Sequence, residues 1–308
     1  MKSFKLLSFS FILLFLFACN QGLVPDETEN KIITSLYPLE YIVEELAGDL
    51  VEVETIIPPG ADAHSYEPST RKMIEYASSD AFFFIGEMME VFSETMADTL
   101  SSEGVQTLKL AEYESIFLHL DEEDHHGHDD HDHDHGDYDP HFWLSPLKMI
   151  EVGEIIRDEL ITLYPDDEET ITTNWATFEK EMLDLDEAFL NAFVDQEPLQ
   201  ILVSHKAFSY LEERYPIVQH SIRGLSSSQE PSQKELQSIL EWIETENIQY
   251  IFLEKNRSDR LVSTIAEDLN LEINYLNELS IRTEDQVEQG LNYVDLMMEN
   301  LNTLIEVK

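Results

Sequence analysis

Cysteine and basic side chains are both scarce in this chain of 308 residues. The single cysteine, Cys19, excludes a disulfide within the chain and any zinc site built on several cysteines. Lys and Arg number 18 against 64 Asp and Glu, which gives a formal net charge of −46. Such a surface repels nucleic acid and attracts cations, so we expect no nucleic-acid partner. Because acidic residues occur along nearly the whole chain, solubility or a saline habitat is the simplest cause of the charge.

Long hydrophobic runs are absent after residue 19. Residues 1–19 combine a basic start with an apolar run that is too short for a membrane span and is typical of a signal peptide. The run ends in Leu-Phe-Ala-Cys, which resembles a bacterial lipobox and implies lipidation of Cys19. The alternative is a plain signal peptide with an incidental cysteine. The polar residues 20–30 predict a tether, so we expect an extracytoplasmic chain, lipid-anchored to the cell membrane.

From residue 31 onward, short apolar runs alternate with amphipathic helical patterns in two successive sets. This alternation predicts an α/β fold with parallel sheets covered on both faces. The predicted strands are 31–36, 51–57, 80–85 and 105–110 in the first set, and 200–204, 217–221, 248–253 and 271–275 in the second. The predicted helices are 39–47, 69–78, 88–100, 232–246, 259–269 and 284–306.

A long helical pattern without proline or glycine, residues 170–195, separates the two sets. One apolar stripe runs along it at helical spacing: Trp175, Phe178, Met182, Leu185, Phe189 and Phe193. We therefore predict two lobes with parallel-sheet cores joined by a long rigid helix, and the interlobe cleft is a common place for a ligand site. The predicted boundaries are 31–165 for the N-terminal lobe, 166–195 for the linking helix and 196–308 for the C-terminal lobe.

Six of the eleven histidines lie within residues 121–139, together with ten Asp or Glu. They are His125, His126, His128, His131, His133 and His135. The segment has no apolar periodicity and predicts a mobile loop. Imidazoles beside carboxylates bind zinc, loosely where the chain must become ordered to do so. The segment is therefore a candidate auxiliary metal loop, and a merely solvated acidic loop is the alternative.

Three further histidines, His64, His141 and His205, fall at predicted loops. His64 lies in a Pro- and Gly-containing turn after a strand, His141 precedes a Ser-Pro helix start, and His205 directly follows the strand 200–204. A single histidine in such a position is more often structural, but three at loops of two lobes predict a joint site. Three imidazoles with one carboxylate suit zinc better than Mn²⁺ or Fe²⁺. His119 and His220 stand apart and are expected to be structural or exposed.

The stretches GADAHSYEPS, DPHFWLSP and SHKAFSYL, with the lipobox-like end and the linking helix, resemble a known family. It is the zinc branch of cluster A-I, the metal-binding solute-binding lipoproteins of bacterial zinc/manganese-type ABC importers. The resemblance implies that His64, His141 and His205 bind a metal between two lobes. It also implies a non-enzymatic protein, expected to be monomeric, whose partner is an ABC permease in the membrane.

The chain departs from this family where a fourth ligand is expected. The family often has a loop resembling L-N-P-L-E-G-L-T, whereas residues 276–283 read LNELSIRT. The expected glutamate position falls on Ser280, and Glu278 replaces the proline. Glu278 is therefore the candidate fourth ligand, with water or Glu254 as alternatives. Glu254 ends a predicted strand and is expected rather to support a ligand histidine.

High-affinity capture of Zn²⁺ and its delivery to a permease is the function that these features favour. A manganese- or iron-binding transporter lipoprotein, or a surface adhesin of the same fold, is the alternative, and the His-rich segment argues against the former because those metals favour oxygen ligands. A secreted zinc hydrolase is opposed by the absence of an H-E-x-x-H sequence. A passive zinc buffer remains open as a secondary role.

Overall fold

The computed structural model describes residues 30–119, 138–255 and 259–307. Its first half contains β1 (Lys31–Thr34), α1 (Tyr37–Ala47), β2 (Glu52–Thr55), α2 (Thr70–Tyr76), β3 (Ala81–Phe84), α3 (Ser93–Ser102), β4 (Gln106–Lys109), β5 (Leu118–His119), β6 (Tyr138–Asp139) and α4 (Pro146–Leu163). Then follow α5 (Glu168–Ala192), β7 (Leu199–His205), α6 (Ser209–Arg214), β8 (Ile217–Arg223), α7 (Gln233–Thr245), β9 (Tyr250–Glu254), α8 (Arg260–Leu269), β10 (Glu272–Leu276), α9 (Glu284–Glu288) and α10 (Tyr293–Glu306).

The N-terminal lobe is built on a four-stranded parallel sheet in the order β2-β1-β3-β4. The central strand β3 is Ala-Phe-Phe-Phe and is buried throughout its length. A strand that is apolar at every position has no solvent face, so helices must cover both sides of the sheet. The four predicted strands of this lobe are all present, each shorter by one to two residues at its ends.

The linking helix is the 25-residue helix α5, and its prediction is confirmed. Five members of the predicted stripe are buried, and Trp175 packs on the core while partly exposed. The helix ends at Ala192, so Phe193 lies just beyond it rather than inside it. Helix α5 packs largely on α4 and α1. Helix α4 was not predicted as an element, although its start at Ser145 and Pro146 was.

The C-terminal lobe has a second four-stranded parallel sheet, in the order β10-β9-β7-β8. One prediction in this lobe is wrong: the helix expected over 284–306 is two helices, α9 and α10. The break lies at Gly290, whose φ of 68° is in the left-handed region that glycine adopts without steric cost. Asn292 then caps α10 by accepting a hydrogen bond from the backbone N–H of Asp295.

The prediction of a loop over 121–139 is wrong for its last two residues. Tyr138 and Asp139 form β6, which pairs antiparallel with β5. The six loop histidines fall outside the described residues, as does Cys19. Within the described ranges, no helix combines the length and apolarity that a membrane crossing requires.

One hydrophobic core runs through both lobes and the linking helix. It includes Phe82 of β3, Phe178 and Phe189 of α5, Val203 of β7 and Leu304 of α10. A smaller cluster fills the space between the second sheet and helices α7 and α8. Because the larger core is continuous, separating the lobes would expose apolar surface, which opposes a wide hinge opening. The carboxyl ends of strands from both sheets face a common cavity between the lobes.

Candidate metal centre

The three predicted histidines come together, and two of them, His64 and His205, line this cavity. The ring centroid of His64 lies 5.5 Å from that of His141 and 6.1 Å from that of His205, and the last two rings are 5.5 Å apart. One potential ligand atom from each ring falls within 4.8 Å of the others. Among the residues described, no other group of three His, Cys, Asp or Glu meets this criterion.

His64 lies in the loop between β2 and α2. The loop turns because the carbonyl of Asp62 accepts hydrogen bonds from the backbone N–H groups of Ser65 and Tyr66. Ser69 then caps α2 by accepting from the N–H of Lys72. His64 is partly exposed, unlike the other two histidines. It is therefore the member of the cluster on the solvent side.

His141 is fully buried between β6 and α4. Oδ1 of Asp139 accepts a hydrogen bond from the backbone N–H of His141 at 2.9 Å and contacts Nδ1 of its ring at 2.7 Å. A carboxylate on one ring nitrogen fixes the ring orientation and directs the other nitrogen outward. That other nitrogen, Nε2, has no hydrogen-bond partner within the described part of the chain.

His205 is the last residue of β7, so the strand extends one residue further than predicted. Its Nδ1 lies 2.7 Å from Oε1 of Glu254, which ends the adjacent strand β9. The same Oε1 accepts a hydrogen bond from Oγ of Ser204 at 2.8 Å. Glu254 thus contacts Nδ1 of His205 and also lines the cavity. Nε2 of His205 is buried and has no hydrogen-bond partner among the residues described.

Glu278 reaches the cluster from the loop after β10. Its Oε1 lies 3.9 Å from Nε2 of His141 and has no hydrogen-bond partner in the described ranges. Its Oε2 accepts hydrogen bonds from both the backbone N–H and Oγ of Ser280. The chain reverses between the two through Leu279, whose φ of 67° is unusual for a residue with a side chain. Ser280, at the position where glutamate is expected, therefore orients the glutamate two residues earlier.

A buried amide network anchors the start of this loop. The side chain of Asn300 on α10 accepts from the N–H of Asn277 at 2.7 Å and donates to its carbonyl at 2.8 Å. Nε2 of Gln286 donates to Oδ1 of Asn277 at 2.7 Å. Nε1 of Trp143 donates to the carbonyl of Glu278 at 2.7 Å, which ties this loop to the segment that carries His141. The loop is thus fixed before any ligand arrives.

The charges around the cluster are unequal. Burial, together with its neighbours His141 and His205, lowers the pKa of His64 to about 3, so its imidazole is neutral at physiological pH. Burial alone would lower the pKa of His141 as well. The Asp139 carboxylate outweighs burial and raises the pKa of His141 above its usual range. Burial raises the pKa of Glu278 against the opposing influence of His141.

The cavity has a volume of about 50 Å³. Its walls come from both lobes and are mainly polar: Gly60, Ala61, Asp62, Ala63, His64, His205, Ser227, Glu254, Glu278 and Ser280. Cavities that hold organic ligands are commonly about 300–1,000 Å³. The space therefore suits a single ion with at most one or two waters.

The structure brings together the three histidines and Glu278 that the sequence singled out, and it adds supporting side chains that the sequence did not assign, namely Asp139, Ser280 and Asn300. The Asp-Pro-His spacing was the available signal for Asp139, because a carboxylate two residues before a histidine can reach its Nδ1. His220, left outside the site by the sequence, stacks on Trp242 with ring centroids 3.7 Å apart and bonds Gln200. His119 contacts the ring of Tyr138.

Two parallel-sheet lobes around a small cavity are an architecture that suits the binding of a small solute. The family model described as "ZnuA: Zinc-uptake complex component A periplasmic" matches residues 32–307. The chain therefore belongs to this family, as the resemblance had predicted.

Individual relatives agree with this assignment. The "Zinc-binding lipoprotein AdcA" of Streptococcus pneumoniae strain R6 is 35% identical over 305 residues, which is 99% of this chain and 60% of that protein. The chain thus spans about three fifths of that relative's length. The "High-affinity zinc uptake system protein ZnuA" of Bacillus subtilis is 27% identical, over 93% of this chain and 92% of that one. Among solved structures, the Zn(II)-bound ZnuA-like domain of Streptococcus pneumoniae AdcA matches with a TM-score of 0.73 and 32% identity, over 90% of this chain and 98% of the domain.

Proposed function

We propose that this protein captures Zn²⁺ outside the cytoplasm and delivers it to the membrane permease of an ABC importer. Zn²⁺ is the transported solute and not a resident cofactor. The single observation that carries the proposal is the convergence of His64, His141 and His205, the last two of which have buried Nε2 atoms without a hydrogen-bond partner in the described part of the chain. A buried polar atom without a partner is costly, and a cation would supply that partner.

The proposed ligands are the three imidazoles and the carboxylate Oε1 of Glu278. Three nitrogen donors and one oxygen donor match the tetrahedral preference of Zn²⁺ and are poorer in oxygen than Mn²⁺ prefers. Asp139 and Glu254 support His141 and His205 in the way that carboxylates support zinc-bound histidines in other proteins. The zinc-binding names of the relatives agree with this choice of metal.

A binding role rather than catalysis fits the size of the cavity. A zinc hydrolase needs room for an organic substrate beside the metal, and about 50 Å³ does not provide it. Lipidation of Cys19, zinc capture by residues 121–139 and a monomeric state also belong to this proposal. So do the permease partner and a location outside the cytoplasm, at the membrane surface. The lipoprotein and uptake names of the relatives support the lipid anchor, the permease partner and the location.

Competition between metals tests the choice of solute. Calorimetric titration of the metal-stripped protein from Asn20 onward is expected to reveal one tight Zn²⁺ site, with weaker sites from the His-rich segment. Mn²⁺ in excess is expected not to displace the tightly bound ion, because the site is rich in imidazole. Preferential retention of Mn²⁺ would favour the manganese alternative. Absence of any tight site would refute metal capture in this cavity.

The pKa shifts predict how affinity depends on pH. A raised pKa means that metal-free His141 holds a proton more tightly than an ordinary imidazole does, and Zn²⁺ must displace that proton. Affinity should therefore be complete above the pKa of His141 and fall as pH drops through it, by about tenfold per unit for each proton displaced. His64 should contribute nothing to this loss above about pH 4, because its pKa is about 3. Equal dissociation constants at pH 7.5 and 5.5 would contradict the prediction.

A further inference from the structure

Two loops from opposite lobes meet beside the partly exposed His64. One is the loop after β2, which carries Asp62 two residues before His64. The other follows β8 and carries Ser227, whose side chain is buried. Oγ of Ser227 donates a hydrogen bond of 3.0 Å to Oδ2 of Asp62, across 165 residues of sequence. Both residues line the same cavity as His64 and His205.

The two carboxylate oxygens of Asp62 make different contacts. Oδ2 accepts from Ser227 of the C-terminal lobe, whereas Oδ1 accepts from Oγ of Ser65 within its own loop at 3.1 Å. The carbonyl of Asp62 also accepts the backbone N–H groups of Ser65 and Tyr66. Asp62 therefore connects the opposite lobe to the turn that holds His64. Loss of the Ser227 contact would release this turn without removing any imidazole.

The position of this hydrogen bond matters because His141 and His205 are buried, whereas His64 is partly exposed. His141 is 0% exposed and His205 is 2% exposed, so an ion reaches or leaves the cavity past the His64 side. Other polar contacts between the lobes lie on the loop after β10 and at Tyr210 of α6, whose hydroxyl donates to the carbonyl of Asp139 at 2.8 Å. The N–H of Gly60 donates to the carbonyl of Arg282 at 3.2 Å, and the guanidinium of Arg282 donates to Glu40 at 3.1 Å. The Asp62–Ser227 bond is a side-chain contact between the loop after β2 and the loop after β8, beside the partly exposed His64.

We infer that the Asp62–Ser227 hydrogen bond is an interlobe latch that sets how fast the bound ion leaves the site. Asp62 and Ser227 are positioning residues, since they hold the loop of His64 and are not themselves proposed as ligands. The bond forms when the two loops are together and must break for the His64 turn to move away. A hydrogen bond to a carboxylate is stronger than one between neutral groups, which suits a latch. This inference rests on the proposed function.

Release of Zn²⁺ into excess chelator, followed by stopped flow, measures the latch. Ser227→Ala is expected to speed release by about tenfold, the effect of one lost hydrogen bond to a charged acceptor. Asp62→Ala should have a similar effect, and the double variant should be no faster than the Asp62→Ala variant. Asp62→Asn keeps an acceptor oxygen and should restore slow release in large part. Ser226→Ala is the matched control, because the bonds that Ser226 makes to described residues lie within its own loop, to Ser228 and Gln229.

Hydrogen exchange in the metal-free protein tests the latch without zinc. The amides of Ser65 and Tyr66 should exchange faster in Ser227→Ala than in the parent, and at the parent rate in Ser226→Ala. An unchanged release rate and unchanged exchange in Ser227→Ala would overturn the latch, as would additive effects in the double variant. If the parent binds no Zn²⁺ tightly, the proposed function fails, whereas faster exchange in Ser227→Ala still identifies the interlobe contact. The two failures are therefore distinguishable.

Discussion

Replacement of His205 by alanine is expected to weaken Zn²⁺ binding by on the order of a thousandfold or more, while the fold stays intact. Loss of a supporting residue behind a metal ligand already costs about 10–100-fold in affinity, and loss of the ligand itself costs more. His205 is the proposed ligand contributed by the strands of the C-terminal lobe, so its removal leaves the ion held mainly by the N-terminal lobe. Competitive calorimetry of the metal-stripped variant measures the change.

The structure indicates why the fold should survive. The backbone of His205 pairs with β8 opposite Arg223, and its carbonyl accepts from the N–H of Ala207 at 2.9 Å. Neither contact involves the imidazole. Glu254 loses the histidine but keeps the hydrogen bond from Ser204. The circular dichroism spectrum and metal-free melting temperature should therefore stay close to those of the parent.

A matched control is His220→Ala on the neighbouring strand β8. His220 stacks on Trp242 and bonds Gln200, away from the cavity, so its loss should leave Zn²⁺ affinity unchanged. Glu278→Ala should give an intermediate loss, since three imidazoles remain. Full affinity in His205→Ala would refute the assigned site. Equal losses in His205→Ala and His220→Ala would show that the effect arises from the fold rather than from ligation.

Sequence patterns predicted the strands and the linking helix because the burial of each element determines which of its own residues are apolar. Strand β3 is apolar at every position, and the stripe on α5 recurs at helical spacing. Helix α4 was not predicted, because Gly153 in its middle weakens the helical pattern of the sequence. The break at Gly290 was not predicted, because apolar residues continue at helical spacing on both sides of it.

The site was only partly predictable, because its supporting contacts join distant parts of the chain. Trp143 bonds the carbonyl of Glu278 across 135 residues, and Ser227 bonds Asp62 across 165. Neither pair is adjacent in sequence, so no spacing rule detects them. The histidines were detectable because turn residues mark the loops at strand ends. The sequence shows that serine occupies the expected glutamate position, 280, and that a glutamate lies at position 278. It does not show that Ser280 bonds the Glu278 carboxylate, because that contact depends on the reversal of the backbone at Leu279.

Replacement of Phe178 by alanine is expected to lower the free energy of unfolding by about 3–5 kcal/mol, the usual cost of deleting a buried aromatic ring. Phe178 is 1% exposed on α5, and its ring centroid lies 6.1 Å from that of Tyr41 on α1. Tyr41 in turn stacks on Tyr293 of α10 at 5.3 Å. The three rings connect the linking helix to both ends of the chain, so the cavity left by Phe178 cannot close by movement of one element. Urea denaturation of the metal-free protein measures the loss.

Leu190→Ala on the same helix is the matched control. Leu190 is 36% exposed, so its truncation should change stability by less than about 1 kcal/mol. A similar loss for the two variants would mean that α5 tolerates truncation equally on both faces, which would contradict the buried stripe.

The most discriminating outcome concerns Gly153 of α4, against which the Phe178 ring packs. A Cβ at Gly153 would lie 2.8 Å from Cε1 of Phe178, closer than packed atoms allow. Gly153→Ala should therefore destabilise the parent by about 1–3 kcal/mol through overpacking, partly offset by the better helix propensity of alanine. In the Phe178→Ala background the ring is gone, and the same substitution should instead stabilise by about 1 kcal/mol, the helix-propensity gain together with some filling of the cavity. A change of sign between the two backgrounds identifies the direct contact between α4 and α5. Equal effects in both backgrounds would show that Gly153 is there for a reason other than the Phe178 ring.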